Sequence, residues 1–317
     1  MDITTRFILF QVLIIAPFAA GMAAKRRWRF RNLPAFTKRL IRVNLVLIEP
    51  VIVLWSTWGL VLTKDLVMLP LAGLFLVAAG MAFGGVIRGP LGMSGKKGGT
   101  FLISSSLANH GFTMGGFLCY FFLGESGLGL SVILVLYFIP YVYCLVFPYA
   151  RAGAGQRILF TDFFKKIAYD IQSMPLFAMA AGLLLNTAGI KRPAIAFPLD
   201  AVLLASISLY YLALGISFTR VDVRGIRREL AALSVIKFAV VPGAACAVLS
   251  LLPLDPALKA VIQLQAFMPA AIYSMVTAVL FDLDTDLASG LFVCNTVIFL
   301  TAVLPVIFVF KKALFAM

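Results

Sequence analysis

Charge is scarce in this chain. Only 13% of its 317 residues are Asp, Glu, Lys or Arg, against about 25% in ordinary soluble domains. Acids are scarcer still: 13 against 27 basic residues, with a single histidine. One histidine cannot complete a zinc set. The four cysteines (Cys119, Cys144, Cys246, Cys294) all lie inside apolar runs without ligand spacing, where their preference for burial accounts for them. No metal and no cofactor is therefore expected. The glycine-rich basic stretch Arg88–Gly99 contains Gly-Lys pairs but not the G-x-x-x-x-G-K-[ST] order of a phosphate loop, and no strand precedes it. It reads as a flexible cytoplasmic hinge. No polar stretch is long enough to form a soluble domain.

What fills the chain is apolar. It is 62% hydrophobic with a mean hydropathy of +1.04, and runs of about 20 apolar residues, the length of a membrane helix, recur from end to end. The net charge of +14 does not indicate nucleic acid, because the bases cluster in alternate loops as the positive-inside rule requires. Ten spans are expected: about 7–24, 36–60, 66–87, 101–123, 128–149, 168–185, 198–218, 230–252, 257–280 and 287–310. The first resembles a signal peptide, but its bases follow the apolar run (Lys25, Arg26, Arg27, Arg29, Arg31) rather than precede it. That polarity places the N-terminus outside a plasma membrane and the first loop in the cytoplasm. The loops Arg151–Lys166 and Arg220–Arg228 are basic and also cytoplasmic. Gly124-Glu125-Ser126-Gly127 is a short outer turn. The acids Asp282, Asp284 and Asp286 in the last inner loop are the exception, and acids weigh little in this rule.

One span departs from the rest. Leu107-Ala108-Asn109-His110-Gly111-Phe112-Thr113-Met114-Gly115-Gly116 places an amide, the lone histidine and glycines in mid-membrane. Such groups are tolerated at this depth only where the backbone faces protein or a water-filled cavity, so the helix is expected to be broken there. A shift of 158 positions brings Pro17 onto Pro175 and Gly111 onto Pro269. The chain then divides into a first five-helix half, 1–150, and a second, 151–317. Five is odd, so the second half is inverted relative to the first. Breaks at matching depth in inverted repeats point to a transport site.

The chemistry of a broken helix suits an anion. Its second half begins with unpaired N–H groups and a partial positive charge. Asn109 can bond a carboxylate or cap freed amides, Gly111 permits unusual torsions and close approach, and Pro269 removes an N–H and forces the second break. Each also has a plainer reading: Gly111-x-x-x-Gly115 as a helix-packing face, His110 as a donor to a backbone carbonyl, Pro269 as a simple kink. His110 titrates near neutral pH when unperturbed, which suits proton coupling. Lys237, within the eighth span, either serves the break as a fixed positive charge or reaches back to the cytoplasmic surface. Glu49, beside Pro50, reads as structural. Ser106 and His110 stand at i, i+4 on a continuous helix, the nearest approach to a nucleophile–base pair, which leaves a membrane-embedded enzyme as a minor alternative.

Several short motifs resemble the auxin efflux carrier family of permeases, within the wider group that includes the bile-acid symporters. Asn109-x-Gly111 is similar to its N-x-G crossover motif, although the family's following proline is absent. Met268-Pro269-x-Ala271 resembles its M-P-x-A in the ninth span. Lys237 with Pro242 resembles its eighth span, and Leu212-Ala213-Leu214-Gly215-Ile216-Ser217 the end of its seventh. His110 departs from the pattern. The resemblance covers nearly the full length. It implies an all-α membrane fold of the sodium/proton-antiporter or bile-acid-symporter type: a scaffold of spans 1, 2, 6 and 7, often a dimer interface, and a mobile core of spans 3–5 and 8–10 with helices 4 and 9 crossing. It further implies elevator-type transport of small organic anions such as malonate or malate in a bacterial inner membrane. The expected substrate-binding residues are Asn109, His110, Gly111, Phe112, Thr113, Phe267, Met268, Pro269 and Ala270, with Lys237 and His110 for coupling or charge compensation. Sodium-coupled symport of the bile-acid type is the alternative; it would require an oxygen-rich cation site, against which Lys237 and the scarcity of acids argue.

Overall fold

A computed structural model describes residues 3–27, 33–111, 114–152, 174–218 and 223–315. The described chain is helical throughout, without strands. Among the described residues, six helices are long and apolar enough to cross a membrane: Ala35–Trp58, Lys64–Arg88, Gly115–Ala150, Leu199–Ile216, Arg227–Leu251 and Thr285–Lys311. Shorter apolar helices include Met174–Thr187. Much of the basic loop 151–166, the start of the sixth expected span, and Arg29, Arg31 and Arg220 lie outside the described residues.

The helices are, in order, α1 (Ile3–Arg27), α2 (Leu33–Val43), α3 (Glu49–Trp58), α4 (Met68–Arg88), α5 (Gly95–Ser106), α6 (Gly115–Leu134), α7 (Phe138–Tyr141), α8 (Phe147–Ala152), α9 (Met174–Thr187), α10 (Leu199–Ser217), α11 (Arg227–Val235), α12 (Val241–Leu251), α13 (Pro256–Ala266), α14 (Ile272–Leu280), α15 (Thr285–Ile298) and α16 (Leu304–Phe315). Four consecutive helix pairs are joined by a widened π-turn: Asn44–Ile48, Val142–Val146, Ile236–Val240 and Phe299–Val303. Each precedes a proline by the same offset: Pro50, Pro148, Pro242 and Pro305. A proline ring collides with the carbonyl four residues earlier and offers no N–H, so the preceding turn opens instead of breaking.

Contacts divide the chain into two compact units: Met1–Val61 with Phe164–Arg220, and Leu62–Phe163 with Val221–Met317. In the first, α1 packs on α10 through facing glycines. A Cβ at Gly21 would stand 2.4 Å from the Leu212 carbonyl oxygen, and one at Gly215 2.1 Å from that of Phe18. Without side chains there the two backbones can meet. Glu49 is buried in this unit and accepts a 2.8 Å hydrogen bond from the Tyr210 hydroxyl. Beside it Asn44 Nδ2 donates to the Ser206 carbonyl at 2.9 Å.

The second unit is organised around α5, which lies against α4. A Cβ at Gly80 would meet the Ser105 carbonyl oxygen at 2.2 Å. Its core gathers Leu76, Phe101, Leu233, Ile236, Ala270 and Leu291. The expected hinge at Arg88–Gly99 is corrected here. The turn is confined to its first part, α5 already begins at Gly95, and Gly98 and Gly99 are buried within it. Gly98 has to be small, because its Cβ would stand 2.7 Å from the Met93 carbonyl oxygen. The turn expected at Gly124–Gly127 falls at Gly124, where φ is 71° and the helical run of α6 is interrupted; glycine alone adopts this torsion freely.

Candidate functional site

Two of the apolar segments are interrupted in mid-course, and the interruptions touch. Between α5 and α6 the chain leaves the helix at Leu107, and between α13 and α14 it leaves it at Phe267. The freed segments run antiparallel: the Asn109 N–H donates to the Pro269 carbonyl at 2.8 Å, and the Ala271 N–H to the Leu107 carbonyl at 3.1 Å. Ala108 and Ala270 form the bridge between them. Backbone groups released by each break are thus satisfied by the other, which is what permits irregular backbone among apolar helices.

Lys237 completes the first break. Its Nζ donates to the carbonyls of Ser106 and Leu107 at 3.1 and 3.0 Å, and the residue is 2% exposed. These carbonyls end α5, where the helix leaves acceptors unpaired and carries partial negative charge. Lys237 thus lies buried at the break and does not reach back to the surface. The π-turn Ile236–Val240 that carries Lys237 is the one imposed by Pro242, so the lysine–proline spacing has a structural meaning.

Asn109 is buried, and its carbonyl accepts the Gly115 N–H at 3.0 Å. The Gly111 carbonyl accepts the N–H groups of Met114 and Gly116 at 3.2 and 3.1 Å. The start of α6 is therefore capped by its own approach loop. Gly111 differs from expectation. It is not at positive φ, and among the described residues no atom lies within 4 Å of where its Cβ would stand. The crowded glycine is Gly115, whose Cβ would stand 2.2 Å from Gln265 Oε1 and 2.8 Å from the His110 carbonyl oxygen. Phe112 and Thr113 lie outside the described residues.

His110 is 2% exposed, and its Nδ1 lies 2.6 Å from the Tyr137 hydroxyl. It does not form a pair with Ser106. The helix ends between them, and Ser106 Oγ instead donates to the Val77 carbonyl at 3.0 Å and lies 2.6 Å from the Tyr141 hydroxyl. On the second break, Met268, Pro269 and Ala270 are buried and Phe267 is half-buried. The Ala270 N–H donates to Asn295 Oδ1 at 2.9 Å, and Asn295 Nδ2 to Ser234 Oγ at 3.3 Å.

No protein-family model matches the chain, and no curated protein matches it significantly. The site must be read from its own groups. Among the described residues, no cluster of His, Cys, Asp or Glu is placed to hold a metal. Three residues that the sequence reading left out of the site belong to it: Tyr137, Gln265 and Asn295. Their signal was present. Each is a polar group within an otherwise apolar span, and such groups are buried there only with a partner.

Proposed function

We propose that this protein is a secondary transporter of small organic anions, of the auxin efflux carrier type, with carboxylates such as malonate or malate as substrates. In this reading ten spans form two inverted five-helix halves, and the breaks after α5 and α13 are the crossing of helices 4 and 9. The observation that carries the reading is the antiparallel contact of the two breaks, Asn109 with Pro269 and Leu107 with Ala271.

The chemistry of the crossing supports an anion. The amides at the start of α6 are taken by Asn109 and Gly111, whereas the Ile272 N–H at the start of α14 has no backbone acceptor among the described residues. A carboxylate seated there gains the N–H and the positive end of the helix. Lys237 places its amino group at the other end of the crossing, and as an ammonium it stands where a sodium-coupled carrier would need a bound cation. Transport is therefore sodium-independent. The unit holding both breaks is the moving body, and the unit Met1–Val61 with Phe164–Arg220 is the scaffold and the face for a second copy; the division of contacts supports this assignment. The basic loops face the cytoplasm of a bacterial inner membrane, with the N-terminus outside.

The test is uptake of radiolabelled malonate and malate by proteoliposomes, with and without sodium. Uptake is expected to be indifferent to sodium and abolished by Asn109→Ala and by Pro269→Leu in folded protein. Unaltered uptake in both variants would remove the site from the crossing. Absence of uptake across a panel of carboxylates in the wild type would end the anion reading.

A further inference from the structure

A cleft of about 450 Å³ opens on the unit that holds both breaks. Its lining is apolar throughout and includes Phe238, Phe267, Val303, Val306, Ile307 and Phe310. Three irregular pieces of chain border this space. Phe238 lies in the π-turn Ile236–Val240, Val303 in the π-turn Phe299–Val303, and Phe267 where the chain leaves α13. A widened turn or a break sets side chains out of the spacing by which regular helices interlock, so the junction of three such places closes poorly. Phe238 is held in place by the Phe299 ring, stacked on it at 6.1 Å. At the mouth of the cleft Val306 and Phe310 are 54% and 56% exposed.

A void among lipid-facing side chains forfeits contacts on every wall, and in a bilayer the material at hand to fill it is an acyl chain. The dimensions suit one. From Val303 to Phe310 the chain advances about 10 Å at the helical rise, within the roughly 15 Å of hydrocarbon in one leaflet. Apolar contact alone does not select among lipids, because their chains are as apolar as the cleft. Lys311 supplies the selection. It follows Phe310, stands one turn beyond Ile307 at the rim, and ends the membrane-crossing helix Thr285–Lys311. Its Nζ rests over the Phe308 ring, 4.5 Å from the centroid, and among the described residues no carboxylate pairs with it. A basic residue at the end of a span attracts anionic headgroups.

We propose that this cleft binds an anionic phospholipid, with one acyl chain against Phe238 and Phe267 and the phosphate at Lys311. The chain then braces the second break from the side of the bilayer, where Phe267 is only half-buried by protein. The proposal rests on the placement of these helices in a membrane and is independent of the transport reading.

The test uses phosphatidylglycerol with a diazirine at the end of one acyl chain, mixed into vesicles holding the wild-type protein. After irradiation, peptide mass spectrometry is expected to find the label on Phe238, Phe267 or Val303. The same probe with a phosphocholine headgroup should label these positions about fivefold less, the worth of one basic residue at the membrane surface. Label spread over bilayer-facing positions such as Leu251 and Val309, with none in the cleft, overturns the site. So does an unlabelled cleft whose residues crosslink to a second copy of the chain. Equal labelling by the two headgroups overturns the anionic selection. Val303→Trp fills the cleft and should remove the label from Phe267; label that persists there in folded variant overturns the site. Lys311→Gln, at the end of the helix, keeps the test open if the tryptophan variant does not fold. It should bring phosphatidylglycerol labelling down to the phosphocholine level, and unchanged labelling overturns the role of Lys311. If the labelling is as expected and the wild type carries no carboxylate, the lipid site stands and the transport reading fails.

Discussion

The two breaks meet in one antiparallel contact and are chemically unequal. The first, Leu107–Met114, is the longer. Its carbonyl end holds a lysine ammonium, and the amides that open its second helix are closed by Asn109 and Gly111. The second, Phe267–Ala271, is short and built on proline. Its Ala270 amide is held by Asn295, and the amide of Ile272 has no backbone acceptor among the described residues. One break thus carries a lysine on its carbonyls and closes its own amides, and the other relies on proline and an asparagine. In the proposed function this inequality is what makes the pair a seat for a negative group.

The largest effect is expected from removing the charge that separates them. Lys237→Met keeps the length of the side chain, removes the lysine donor from the Ser106 carbonyl and leaves the Leu107 carbonyl with the Ala271 N–H alone. Charge-assisted hydrogen bonds are worth about 1.5–3 kcal/mol each, partly offset because the ammonium itself was costly to bury. A net loss of about 3 kcal/mol in thermal unfolding and no measurable uptake are expected. Unchanged stability would mean that the carbonyl end of α5 needs no cation, and the contrast between the breaks would lapse.

A second contrast lies within the first break. Gly115→Ala places a Cβ against Gln265 and the His110 carbonyl. Overpacking of this kind costs about 1–3 kcal/mol, and here one of the obstructing atoms is backbone. Gly111→Ala meets no described atom within 4 Å and should change unfolding by less than about 0.5 kcal/mol. Comparing the two variants by thermal denaturation in one detergent decides which glycine the contact of the breaks depends on. Equal effects would show that the crowding at Gly115 relaxes at little cost.

The sequence made these interruptions legible because polar and helix-weakening residues stand out in apolar spans. Asn109-His110-Gly111 and Met268-Pro269 drew attention for that reason. What it concealed is register and partnership. A shift of 158 positions aligns Gly111 with Pro269, whereas the antiparallel contact joins Asn109 to Pro269 and Ala108 to Ala270. Gly111 and Gly115 are indistinguishable by composition, and only the position of Gln265 on another helix decides which one is crowded. The same holds for Tyr137, whose partner is 27 residues away. The basic glycine-rich stretch misled in the other direction. Its glycines suggest a hinge, yet Gly98 and Gly99 are packed into the first turns of α5. Lys237 was undecided because snorkelling and inward burial have the same spacing from Arg228; only its two carbonyl partners separate them.

The smallest of the expected effects concerns the second break. Asn295 holds a backbone amide there, through Oδ1 to the Ala270 N–H at 2.9 Å. Asn295→Ala leaves that buried N–H without an acceptor, at a cost of about 1 kcal/mol, toward the lower end for an unsatisfied buried donor. Asn295→Asp keeps an oxygen in place for it and for Ser234, whose hydroxyl can turn to donate, so it should recover most of the loss. Thermal unfolding reads the stability of both variants and malonate uptake reads the site. If Asn295→Ala impairs uptake more than Lys237→Met does, the second break is the part that is held rigid. The anion seat would then have to be sought at the first.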